Sequence, residues 1–137
     1  MADLEQNKAL TRRIWEEAWR DHRVDVGEEL FSPDIQLHVM GRTVAGLADM
    51  RATLERWLAA FPDLSAEVDM QVAEGDLVAE RVTFSGTHSG GPFQDIEPSG
   101  APFAFTQTTI CRVADGKIAE IWEDVDWAGL IRQLRVS

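Results

Sequence analysis

The periodicity of the apolar residues changes once along this chain, at Pro62, and that change limits the folds open to it. Before it, Leu10, Ile14, Trp15, Ala18 and Trp19 recur at three- and four-residue steps, as do Leu47, Met50, Leu54, Trp57, Leu58 and Phe61. Such spacing gives one buried face per helix. It predicts helices over residues 3–20 and from Leu47 to Phe61, the second stopped by Phe61-Pro62-Asp63. A short helix is expected from Val26 to Phe31, ended at Ser32-Pro33 because proline disfavours the α region for the residue before it. Asp34 to Met40 alternates and reads as a strand. Beyond Pro62 the period is two almost to the end. Leu64, Ala66, Val68, Met70 and Val72 share one face of a strand, and Glu74-Gly75-Asp76 turns into the strand Leu77 to His88. A thirteen-residue Gly/Pro-rich loop, Ser89 to Ala101, is long enough to be a functional rim or lid. Strands Pro102 to Val113 and Lys117 to Val125 follow, and a short amphipathic helix with Leu130, Ile131 and Leu134 closes the chain. Helices followed by a run of strands predict an α+β fold in which a curved antiparallel sheet wraps around the N-terminal helices.

With 137 residues, one domain spanning 1–137 is expected, able to bury roughly two thirds of its unfolded-chain surface. The net charge of −11, from 24 acidic and 13 basic residues, argues against a nucleic-acid partner, which needs clustered Lys and Arg. No apolar run approaches the roughly 18 residues of a membrane span. The first residues carry no basic region followed by an apolar one, so a cytoplasmic location is expected. One cysteine, Cys111, and three histidines show no metal-ligand spacing, and neither a G-x-S-x-G elbow nor a G-x-G-x-x-G loop is present. We therefore expect no metal and no cofactor.

The last hairpin decides which side chains share a face, because a one-residue slip inverts a strand. A two-residue loop, Asp115-Gly116, would set Glu123 opposite Thr108 and put the two apolar stripes on different faces. A three-residue loop, Ala114-Asp115-Gly116, pairs Val113 with Lys117 and Gln107 with Glu123. The second is self-consistent. It gathers Phe103, Phe105, Gln107, Thr109, Cys111 and Val113 with Ala119, Ile121, Glu123, Val125 and Trp127 on one face. Glu123 is then a carboxylate on an apolar face. Burial raises a carboxyl pKa toward neutrality, the property of a general acid/base; the alternative is one more solvated acid. His88 stands where the long loop begins and is open to two roles, a second proton-transfer or carbonyl-orienting group, or a rim histidine bonded to loop backbone. His38, on the first strand, either lines the same space or packs structurally. Trp15, Trp19 and Trp57 read as core, and a pocket between helices and sheet would make some of them, with Phe105 and Ile121, its wall as well.

The order of several short motifs resembles the SnoaL-like polyketide cyclase family, within the nuclear-transport-factor-like superfamily. These are Phe61-Pro62-Asp63-Leu64, Ala73-Glu74-Gly75-Asp76 with Val78-Ala79, Gly86-Thr87-His88-Ser89-Gly90 and Pro98-Ser99-Gly100. The run from Arg112 through Trp122 and Asp126 with Gln133-Leu134 complete the set. The resemblance implies a cone-shaped apolar cavity, an apolar or aromatic small-molecule substrate, and a homodimer or homotetramer built through the outer sheet face. It implies cofactor-independent intramolecular aldol ring closure, with Glu123 at the position of the family's acid/base aspartate and His88 retained; in such a reaction Gln107, His88 or ordered water would hold the enolate oxygen. A histidine that assists in some cyclases falls at Thr109, and the phenol used by isomerase relatives has no counterpart in a chain without tyrosine. Epoxide opening, pyran closure or isomerisation by the same carboxylate, and a non-catalytic ligand-binding or oligomerisation role, are the alternatives.

Overall fold

The structure, a computed structural model, describes residues 3–135. The predicted first helix is two segments. Helix α1, Leu4–Arg13, is started by Asp3, whose carboxylate accepts the Gln6 N–H, and it runs into a π-helical segment, Ile14–Arg20. The wider i→i+5 turns keep Ile14, Trp15 and Ala18 all buried, with Trp19 packed against the same core. Helix α2 is only Gly27–Leu30, and strand β1 starts at once, Phe31–Val39, rather than at Asp34. Pro33 is tolerated because β1 skips its pairing with β6 between Phe31 and Gln36, where a missing N–H breaks no ladder bond. Strand β2, Arg42–Ala45, which the sequence reading left out, folds back on β1 through Met40-Gly41, both at positive φ. Helix α3 covers Leu47–Ala60.

Strands β3 (Ser65–Glu74), β4 (Leu77–Thr87), β5 (Pro102–Ala114) and β6 (Lys117–Val125) follow, then helix α4 (Trp127–Leu134). The sheet order is β2-β1-β6-β5-β4-β3. All pairs are antiparallel except β1 with β6, so the curved, open sheet is mixed rather than wholly antiparallel. Its inner face carries Val78, Val82, Phe84, Phe103, Phe105, Cys111, Ile118 and Ile121, and these close the core against the helices.

Two irregularities correct the sequence reading. In β3, Val68 pairs with Val82 but Met70 pairs with Arg81, so Asp69 is bulged and everything after it changes face. Met70 and Val72, expected inside, are 57% and 66% exposed on the outer face. In the last hairpin the loop is two residues, Asp115-Gly116, both at positive φ as a type I′ turn requires. An extra residue, Ala119, then sits between the pairs Val113–Ile118 and Arg112–Glu120. Glu123 therefore pairs with Thr109, and Gln107 pairs with Val125. The expected partition of faces survives at Gln107, Thr109, Cys111, Ile121, Glu123 and Val125, but Ile118 rather than Ala119 fills the core.

The long loop is packed down. The Gly90 and Gly91 N–H groups donate to the carbonyls of Ala60 and Ala59 at the end of α3, and Phe93 and Ile96 are buried. On the other side Gln133 of α4 clamps the free edge of β5, donating to and accepting from the Ala104 backbone at 2.9 Å each. No helix of the described residues is long and apolar enough to cross a membrane.

Candidate functional site

One row of inward-facing residues crosses the sheet. Register places Gln71, Glu80, Thr109, Glu123, Val39 and Arg42 side by side on β3, β4, β5, β6, β1 and β2. Two carboxyl groups therefore lie on the core face with one threonine between them. Glu80 is 2% exposed and is held by donors: Gln71 Nε2 at 2.7 Å, Trp15 Nε1 at 2.9 Å and Thr11 Oγ1 at 3.1 Å. It ties α1 and the π-helical segment to the sheet. Burial raises its pKa and these donors pull it back.

Glu123 has a different setting. Two cavities meet at it. The smaller, about 140 Å³, lies under the helices among Ile14, Trp15, Ala18, Phe31, Leu54 and Ile121. The larger, about 240 Å³, is walled by Val39, Trp57, Phe84, Phe105, Val125 and Trp127, with Gln107 on its lining. Trp19, Leu37, Thr53 and Glu123 border both, and Glu123 is the one titratable side chain they share among the described residues. The residue keeps partial accessibility because it faces the cavities, yet protein surrounds its carboxyl, and withdrawal from water pushes the pKa up to about 7, offset in part by the Gln107 amide. Gln107 Nε2 and Thr109 Oγ1 are buried with no hydrogen-bond partner among the described residues. An orphaned amide donor on the wall of an apolar cavity, beside a carboxyl that titrates near neutrality, can hold a developing oxyanion while the carboxyl moves a proton.

The predicted site residues divide by place. Trp15 and Ile121 border the smaller cavity, Trp57, Phe105 and Gln107 the larger, and Glu123 both. Thr109 is next to Glu123 in the sheet but lines neither. His88 also lines neither: it is fully buried, its Nε2 lies 2.9 Å from the Gly91 carbonyl oxygen, and its ring packs edge-on against Phe61. His38 is on the outer face, because Leu37 and Val39 take the inward positions of β1. Its ring lies against Trp122, and Nε2 is 2.7 Å from Glu120 Oε2. Glu80 and Arg42 escaped the sequence reading. The alternation Val78, Glu80, Val82, Phe84 already marks Glu80 as inward-facing, whereas Arg42 needed β2. No three His, Cys, Asp or Glu side chains among the described residues converge as a metal site.

The sequence model of the SnoaL-like polyketide cyclase family matches residues 9–134. No curated protein matches the chain. Among solved structures it is similar to AclR from Streptomyces galilaeus, which carries a provisional hydroxylase assignment, with 32% identity over 96% of this chain and 97% of that one and a TM-score of 0.86. TsrD from Streptomyces laurentii is 30% identical over 98% of each chain, with a TM-score of 0.88. IdmH from Streptomyces antibioticus, provisionally a polyketide cyclase, is 30% identical over 96% of this chain and 99% of that one, with a TM-score of 0.82. The family match across residues 9–134, with solved structures at 30–32% identity over nearly the whole chain, places this protein in the SnoaL-like polyketide cyclase family.

Proposed function

We propose that the protein is a cofactor-independent acid/base enzyme that closes a ring of an apolar, polyketide-type small molecule by intramolecular aldol addition. The observation that carries this reading is the place of Glu123, a carboxyl at the junction of two apolar cavities with an unpartnered amide on the wall beside it. The Glu123 carboxylate removes a proton from a carbon flanked by carbonyls. Gln107 Nε2 donates to the resulting enolate oxygen, and the enolate carbon adds to a second carbonyl of the same molecule. Protonated Glu123 returns the proton to the new alkoxide, so no proton or electron is gained or lost overall. The cavity walls hold the flexible substrate folded, an orientation effect worth several kcal/mol. His88 braces the loop behind Phe61 in this scheme and does not touch the substrate.

A second reading keeps the same carboxylate at the junction of the two cavities and has it activate water or a substrate hydroxyl, for epoxide opening or pyran closure. Product analysis with a linear poly-β-ketone separates the two, since only the first forms a carbon–carbon bond. Glu123→Gln should lower turnover by about 10²–10⁴-fold. In the wild type, kcat/KM should rise with pH through about 7 as the base form appears. Full turnover in Glu123→Gln would sink both readings, whereas a wild type without turnover would leave a binding domain. We further assign the outer face of the sheet to self-association. It carries the exposed row Val72, Ile110 and Trp122 across three strands, the apolar surface on which two copies would pack.

A further inference from the structure

The larger cavity opens beside a surface depression of about 290 Å³ formed by Arg42, Thr43, Val44, Asp49, Thr53 and Arg56. Arg42, Val44 and Thr53 line both, so the two spaces adjoin. Arg42 and Arg56, like Arg12, Arg81 and Arg132, have no acidic partner within 4.0 Å among the described residues, while Arg13, Arg20, Arg23, Arg51, Arg112 and Arg135 do; of these five, Arg42 and Arg56 are the two that line the depression. Arg56 donates only to Thr53 Oγ1, at 3.2 Å. What sets them apart is their place: two guanidinium groups stand together beside an apolar cavity, in a chain where acids outnumber bases nearly two to one.

Register then fixes where the charge lies. Arg42 pairs with Val39, and Val39 pairs with Glu123, all three facing inward on adjacent strands. Two strand spacings put the Arg42 and Glu123 backbones about 10 Å apart. We propose that this depression is an anion subsite: it takes a carboxylate, sulfonate or phosphate carried by the apolar molecule in the larger cavity, and so sets which carbon of that molecule reaches Glu123. The proposal rests on the reading of that cavity as the substrate site. The net negative charge does not oppose it at contact range, because bulk repulsion is screened beyond about 8–10 Å in physiological salt whereas a guanidinium contact is direct. Asp49 is the one acid among the described residues that line the depression, and it moderates the attraction of the two arginines.

Paired fluorescent probes test it. Anilinonaphthalene sulfonate and uncharged N-phenylnaphthylamine share an aromatic body, and only the first carries an anion. The wild type should bind both, the sulfonate more tightly. Arg42→Gln combined with Arg56→Gln should weaken the sulfonate about tenfold and leave the neutral dye within about twofold. Raising ionic strength should act on the sulfonate alone. Both residues are exposed, so the fold is not at stake. Thr53→Trp or Val44→Trp, whichever keeps the wild-type melting temperature, should displace both dyes and so place them in the cavity. Unchanged sulfonate affinity in the double variant, an equal loss for both dyes, or sulfonate binding that survives the blocking tryptophan would overturn the subsite. If the neutral dye binds but the sulfonate binds no better, the cavity reading stands and the subsite falls. If neither dye binds the wild type, both fall.

Discussion

Glu80 and Glu123 are withdrawn from water on the same face of the same sheet, with Thr109 between them, and the number of donors separates their behaviour. Glu80 accepts three hydrogen bonds from nitrogen and hydroxyl donors and serves as a fixed anchor for Trp15 and the π-helical segment. Glu123 has only the nearby Gln107 amide, so desolvation dominates and its pKa reaches about 7. That difference has a consequence for stability. Between the unfolded value near 4.5 and the folded value near 7, the folded chain binds the proton and the unfolded chain does not, so stability falls as pH rises through this window. The loss is about 2–3 kcal/mol, discounted for water in the cavities. Glu123→Gln removes the titration. Denaturant melts should show the variant and wild type alike near pH 4.5, and the variant about 2 kcal/mol more stable at about pH 8. A constant difference across that range would mean that Glu123 keeps an ordinary carboxyl pKa. The alternation of β6 made Glu123 legible in the sequence, and the same alternation in β4 marks Glu80. What alternation does not carry is the count of donors around each, which depends on Thr11, Trp15 and Gln71 arriving from other elements.

At the scale of elements, the last hairpin shows what periodicity can and cannot fix. Its loop is one residue shorter than expected and β6 carries one residue more, so parity is kept and the partners of Glu123 shift along β5 by two positions. Alternation reports parity alone; a bulge at a small residue such as Ala119 leaves no mark on it. In β3 the bulge at Asp69 has no compensating partner, and there the inward set expected from the sequence fails. In the Gly86-Thr87-His88-Ser89-Gly90 motif a histidine bonded to loop backbone was one of the two readings the sequence offered, but the tie to α3 was not legible. Gly90 and Gly91 donate to the last carbonyls of α3, and His88 is bonded to the Gly91 carbonyl, so the motif fastens the long loop to the helix that walls both cavities. A Cβ at Gly90 would collide with the Ala59 carbonyl oxygen, whereas one at Gly91 would meet that oxygen at an ordinary 3.8 Å. Gly90→Ala should therefore cost about 1–3 kcal/mol, the range for forced overpacking, and lower the melting temperature by several degrees. Gly91→Ala should melt within a degree or two of the wild type. Equal melting of the two variants in calorimetry would remove the fastening role from Gly90.

For the molecule as a whole, the bulge in β3 turns Met70 and Val72 toward solvent, where Val72 extends the outer row of Ile110 and Trp122. On that face Glu120 accepts from Arg112 Nη2 at 3.2 Å and lies 2.7 Å from His38 Nε2, contacts that hold its carboxyl below the usual range, the histidine contributing most. The central charge of the face is thus compensated locally, while the net −11 resides on the molecule at large. Two copies packed through these faces would bury the apolar row and leave a repulsion between their net charges that salt screens. Sedimentation at micromolar concentration should find a dimer or tetramer that tightens with ionic strength, the opposite of an assembly held by ion pairs. Trp122→Asp with Ile110→Asp, on exposed positions, should give a monomer. Since the cavities lie on the other face of the sheet, that monomer should still bind N-phenylnaphthylamine as the wild type does. A wild type that sediments as a monomer, or a variant that loses dye binding together with its assembly, would show that the outer face is either no interface or not independent of the cavity behind it.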